Sequence, residues 1–224
     1  PGVADWAQPD FDDAGWAQAA APFFAGPEPA GAAVIRASAD NYFAVYVGPA
    51  DGSAMRLVGR DARDDWPSAE DFELALGPDD HVFLAAWEGP GDGSPQMLIA
   101  ELTRADGSRL GTDIDTFEAT LGPPGANPGL GLGPPPPSPE SVGAHVQAAN
   151  LDGAWGPPSA RSAKESGPWG GALASAFGPA AAFIWPDTFD GQSQTNVLET
   201  YALFRSIEPA LPPAGRSEVE PGPT

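Results

Sequence analysis

His81 and His145 are the only imidazoles in this 224-residue sequence, and it has no cysteine. A zinc, copper or iron–sulfur centre built on histidine or cysteine is therefore out of reach. Disulfides and thiolate catalysis are excluded for the same reason. Hard cations are not, because calcium takes several oxygens from a single loop. Asp10, Asp12 and Asp13 form one such cluster, Asp61, Asp64 and Asp65 a second, and Asp113 with Asp115 a shorter third. None lies in an EF-hand loop or a nonapeptide repeat, and Asx turns use aspartate in the same local pattern. Calcium is the one cofactor left open.

Enzymatic chemistry finds little to work with. A serine nucleophile needs a base beside it and a sharp elbow, and no G-x-S-x-G stretch is present. A glycosidase needs two carboxylates at a fixed separation, yet Glu70, Glu101, Glu118 and Glu165 carry no motif around them. Gly129-Leu-Gly-Leu-Gly133 looks like a phosphate loop until the four prolines that follow it. Such a loop must open a helix whose N-terminus faces the anion, and prolines in a row do not. The expectation is a protein that binds or assembles and does not catalyse. Tryptophans are the best ligand candidates. Trp66, Trp155 and Trp169 sit beside proline or glycine in loops, where an indole could stack on a sugar ring, whereas Trp16, Trp87 and Trp185 sit in or near strands and suit a core.

The chain carries 31 acidic against 10 basic residues, a formal charge of −21. That balance repels phosphate backbones and anionic headgroups, so neither nucleic acid nor a membrane surface is an expected partner. No apolar run approaches the ~20 residues that span a bilayer. Glycine and proline number 28 each, near the ~25–30% that signals low complexity. Seven Trp and eleven Phe argue for a packed core instead.

Those aromatics sit in short, β-branched runs separated by turn residues, the pattern of an all-β sandwich. Strands are expected at Ala33–Ala37, Asn41–Val47, Ala54–Arg60, Asp71–Leu76, His81–Glu88, Gln96–Thr103 and Thr116–Leu121, with turns at Asp51-Gly52, Gly77–Asp80 and Asp106-Gly107. Helical periodicity is not sustained beyond a turn or two. Three further strands, at Val142–Ala149, Ala181–Trp185 and Asn196–Ser206, lack a core of their own and need a sheet to join. The expected organisation is one β-sandwich domain over residues 1–224. It has an irregular N-terminal arm (1–31), a Pro/Gly-rich crossover (122–139) and a C-terminal tail (207–224).

Several phrases resemble the galactose-binding-domain-like jelly rolls of bacterial surface proteins and lectin-type modules. Trp6 with Phe11-Asp12-Asp13-Ala14-Gly15-Trp16 is similar to their N-terminal stretch, and Ala39-Asp40-Asn41-Tyr42-Phe43-Ala44-Val45-Tyr46-Val47-Gly48 to their best-marked strand. Trp66, Leu76-Gly77-Pro78, Ala86-Trp87-Glu88 and the hairpin around Asp106-Gly107 continue the likeness, as do Gly167-Pro168-Trp169-Gly170, Phe183-Ile184-Trp185 and Tyr201–Arg205. The resemblance implies an antiparallel jelly-roll-like β-sandwich with long Pro/Gly-rich loops, serving sugar binding, adhesion or structure. A start at Pro1 rather than Met fits an exported chain, so the expectation is a secreted or cell-surface protein. Its partner is expected to be itself, in a filament, layer or adhesive appendage, with arms held by a neighbouring copy. A glycan is the alternative partner, with or without calcium.

Overall fold

A computed structural model of the protein describes residues 31–61, 68–88, 96–129, 135–161, 171–186 and 199–211. The chain forms strands β1 (Gly31–Asp40), β2 (Tyr42–Pro49), β3 (Arg56–Arg60), β4 (Glu70–Leu76), β5 (Asp80–Trp87), β6 (Met97–Arg104), β7 (Arg109–Gly111) and β8 (Phe117–Leu121). Helix α1 (Pro139–Asp152), β9 (Ser159–Arg161), helix α2 (Ala172–Ser175), β10 (Phe183–Trp185) and β11 (Ala202–Ser206) follow.

These strands make two antiparallel sheets packed face to face. The first sheet has the order β4-β1-β6-β10-β9, with β7 also paired to β6; the second has the order β3-β2-β5-β11-β8. Alternating residues fill the space between them, among them Ile35, Phe43, Leu84, Leu98, Leu102 and Phe204, all fully or almost fully buried. The all-β sandwich is therefore present, and each strand expected from Ala33 to Leu121 has its counterpart. The C-terminal strands do find host sheets: β10 pairs with β6, and β11 lies between β5 and β8.

The segment Val142–Ala149 is not a strand. It is the middle of α1, and the expectation that no helix persists fails here. The signals lie at the helix ends. Ser138 caps the first turn, its Oγ accepting the Ser141 N–H at 3.1 Å, with Pro139 in the first turn behind it. Gly153 ends the helix in the left-handed region at φ 62°. Val142, Val146 and Ala149 recur at helical spacing and are buried, and the two valines pack on the outer face of the second sheet with Tyr46, Phe83 and Leu203. β5 is consequently buried along its whole length, facing the core on one side and the helix on the other.

The outer face of the first sheet is covered only in part. Leu173 and Phe177, at and just after α2, pack over Met97, Ile99 and Phe183. Among the described residues nothing packs over the other half, across β1 and β4.

Candidate functional site

Strand alternation determines what that open half presents. In β1, Ala33, Ile35 and Ala37 turn inward, which leaves Ala32, Val34 and Arg36 outward. On β4, Asp71, Glu73 and Ala75 are the outward set, and on β6 Glu101 and Thr103. Part of this outward set lines a trough of about 640 Å3, floored by Ala32, Val34, Ala75 and Ala105 and flanked by Glu73, Thr103 and Arg104. Val34 is 40% exposed, unusual for a valine in the middle of a strand.

At one end the trough continues into a polar pocket of about 360 Å3 under the α2 segment, lined by Arg36, Asp71, Glu101, Arg109 and Phe177 among others. Arg36 makes a bidentate pair with Asp71, Nε and Nη2 each donating at 2.7 Å, while its Nη1 donates to the Ala176 carbonyl at 3.0 Å. The Arg36 bond holds the Asp71 carboxyl below the usual carboxylate range. Glu101 is buried and doubly held: Oε1 accepts from Arg109 Nη1 at 2.8 Å and Oε2 from the Gly178 N–H at 2.9 Å. A side chain at Gly178 would meet Glu101 Oε2 at 2.3 Å and Arg109 Nη1 at 2.9 Å, and would push this pair aside. The trough and pocket together carry Arg36, Arg104 and Arg109 against Asp71, Glu73 and Glu101. This face is therefore electrically balanced in a chain of charge −21.

Of the tryptophan candidates, Trp155 is described, and Trp66 and Trp169 lie outside the described residues. Trp155 is half-buried behind α1; its indole N–H donates to Asn150 Oδ1 at 2.9 Å and the Arg205 guanidinium lies 4.2 Å from its ring centre. Arg205 in turn holds Glu118 and the Ala50 carbonyl. The indole works as part of a latch tying the end of α1 to the second sheet, with its polar atom and one ring face already engaged. Trp87 and Trp185 are core residues, as their strand positions suggest; Trp16 lies outside the described residues.

Of the calcium candidates, Asp10, Asp12, Asp13, Asp64 and Asp65 lie outside the described residues. Among the described residues no group of three or more His, Asp or Glu could hold a metal ion. Asp61 belongs to no such group, and Asp113 uses Oδ1 to accept the Ile114 N–H at 2.6 Å. Asp51 and Asp106 likewise accept the N–H two residues on, from Ser53 and Ser108.

The two histidines are far apart in role as well as place. His81 lies on β5 with Nδ1 2.7 Å from the Ser206 carbonyl. His145, expected on a strand, lies on α1 with Nδ1 3.1 Å from Tyr201 Oη. Glu101 and Glu118 point from opposite outer faces of the sandwich, so these two carboxylates cannot flank one glycosidic bond. Comparison with protein-family models, curated proteins and solved structures finds no match. No helix among the described residues is long and apolar enough to cross a membrane.

Sequence reasoning did not single out Val34, Arg36, Asp71, Glu73 or Arg109. One signal was available: β1 places a valine on the side opposite Ile35, between two short alanine-rich stretches.

Proposed function

We propose that this protein is a non-catalytic structural subunit that associates with copies of itself through the open face of the first sheet, in an extracellular filament, layer or adhesive appendage. The supporting observation is the trough itself: apolar, exposed and free of net charge in an otherwise strongly acidic chain. Two copies of such a chain repel each other, and they can approach only through a face that lacks the common charge. Exposed apolar surface of this kind marks interaction sites. Acidity then acts as a brake on association elsewhere on the surface.

Sedimentation and electron microscopy of the full chain provide the test. Association should strengthen as salt rises from a few millimolar to physiological strength, because self-repulsion is screened first. Val34→Lys, which plants a charge on the apolar floor, should weaken association by roughly 100-fold. A monodisperse monomer at every concentration and salt level would overturn the reading.

A second reading, a glycan-binding module, draws on the polar pocket. Paired arginines and carboxylates present donors and acceptors with no net charge, which suits a neutral polyol better than an ion. Methyl glycosides of neutral hexoses should then perturb the backbone amides of Thr103 and Gly178 in a saturable way, and glucuronate should not. Equal responses to charged and neutral sugars would count against it.

A further inference from the structure

The register of the first sheet places four unlike side chains in one row. Val34 pairs with Glu73 on β4 and with Thr103 on β6, and Thr103 pairs with Arg109 on β7. Across the open face the order is therefore acid, apolar, hydroxyl, base. The two ends of this row have charge to offer. Glu73 is exposed and makes no hydrogen bond or ion pair among the described residues, and Arg109 uses Nη1 alone, on Glu101, with its side chain about half exposed (53%). Below this row the face is smaller and wholly apolar, with Ala75, Ala32 and Ala105 side by side.

We infer that two copies pair face to face here, about a two-fold axis that runs parallel to the strands above the gap between β1 and β6. This rests on the self-association proposed above and specifies its geometry. Strands are ~4.8 Å apart, so Glu73 and Arg109 stand about three spacings apart. Rotation about that axis exchanges the two ends of the row. Glu73 of each copy then faces Arg109 of the other, and Val34 of each copy faces the Thr103 methyl of the other. A two-fold running across the strands would set Glu73 on Glu73, which like-charge repulsion disfavours. The row is self-complementary under one axis and self-repelling under the other. The contact is isologous and closes on itself, so it makes a pair, and a larger assembly builds from that pair through another surface.

The absence of cysteine makes the geometry directly readable with single-cysteine variants of the full chain. Val34→Cys and Thr103→Cys lie next to the axis and should each give a covalent dimer with a short bis-maleimide. Glu73→Cys should give none, because the two copies of that position stand about three strand spacings apart. Glu73→Lys should loosen the pair by at least about tenfold in sedimentation equilibrium, and Glu73→Gln by less. Dimers from Glu73→Cys alone would overturn the proposed axis. Association of the wild-type chain without crosslinking at Val34 or Thr103 would overturn this contact and leave self-association standing through another face. A wild-type chain that stays monomeric would overturn both.

Discussion

Replacing Gly143 by leucine should destabilise the fold by about 3 kcal/mol, although glycine is the poorer helix former by ~1 kcal/mol. The reason is the contact between α1 and the turn after β2. A Cβ at Gly143 would stand 2.5 Å from the Gly52 carbonyl oxygen, and one at Gly52 would stand 2.7 Å from the Gly143 carbonyl oxygen. Both neighbours are backbone and cannot swing aside, so the helix must lift. Lifting it exposes Val142 and Val146, which have no exposed surface, and opens the aromatic layer of Tyr46, Phe83 and Tyr201 beneath them. Gly52 is fixed by its conformation as well, at φ 73°, where a side chain adds strain. Ala144→Leu, one position along on the exposed face of α1, is the control and should be neutral or slightly stabilising. Urea unfolding of the two variants makes the comparison. Equal midpoints would mean that the helix does not rest on that turn.

The strands were readable because their signals are local. Asn-Tyr-Phe-Ala-Val-Tyr-Val can be little else, and Asp-Gly pairs mark the turns that follow. Even the second sheet's deepest strand, β5, announced itself by a breaker-flanked apolar run. Helix α1 was missed because its core-facing residues are small. Val142, Val146 and Ala149 make a faint stripe, and the β-branched pair reads as strand when the caps are ignored. Ser138-Pro139-Glu140 and Gly153 would have corrected that reading. β7 and β9 are three residues each, and they pair as strands because β6 and β10 offer edges, not through any preference of Arg109–Gly111 or Ser159–Arg161.

The open face could not be read in the same way. Glu73, Val34, Thr103 and Arg109 form a row only after three strand pairings have been set, and those pairings join segments distant in sequence. A one-residue slip in any of them would send its side chains to the core instead. Loop tryptophans attracted attention through residue type alone, and Trp155 shows the weakness of that signal. Its proline and glycine neighbours imply exposure, whereas Arg205 and Asn150, brought in from β11 and α1, engage the indole.

The same layer under α1 carries a pH dependence that should be large. His145 is buried, its Nδ1 lies 3.1 Å from Tyr201 Oη, and burial lowers its pKa from the ordinary 6.5 to about 4. The Leu121 backbone favours the charged ring and opposes this only in part. The unfolded chain takes up the proton near pH 6.5 and the folded one only near 4. The unfolded state therefore binds more protons between those values, and stability falls as the pH drops through that window. His145 contributes its full share above pH 6.5, and the loss is complete below about 4, amounting to about 3 kcal/mol. Two other effects must be separated from it. Protonation of ordinary carboxylates relieves the repulsion of a −21 chain and acts in the opposite direction as the pH nears the isoelectric point of about 4.1. Asp51, Asp71 and Asp106 have their pKa values held below 3.8 by hydrogen bonds, so their contributions are lost largely below the window. The quantity to measure is thus a difference: wild type minus His145→Asn, whose amide keeps a partner for Tyr201 but takes up no proton. That difference, from urea unfolding at several pH values, should shift steadily against the wild type from pH 6.5 to 4. If it stays flat, His145 is already protonated in the fold or open to water, and the tight seat of α1 on the second sheet fails with it.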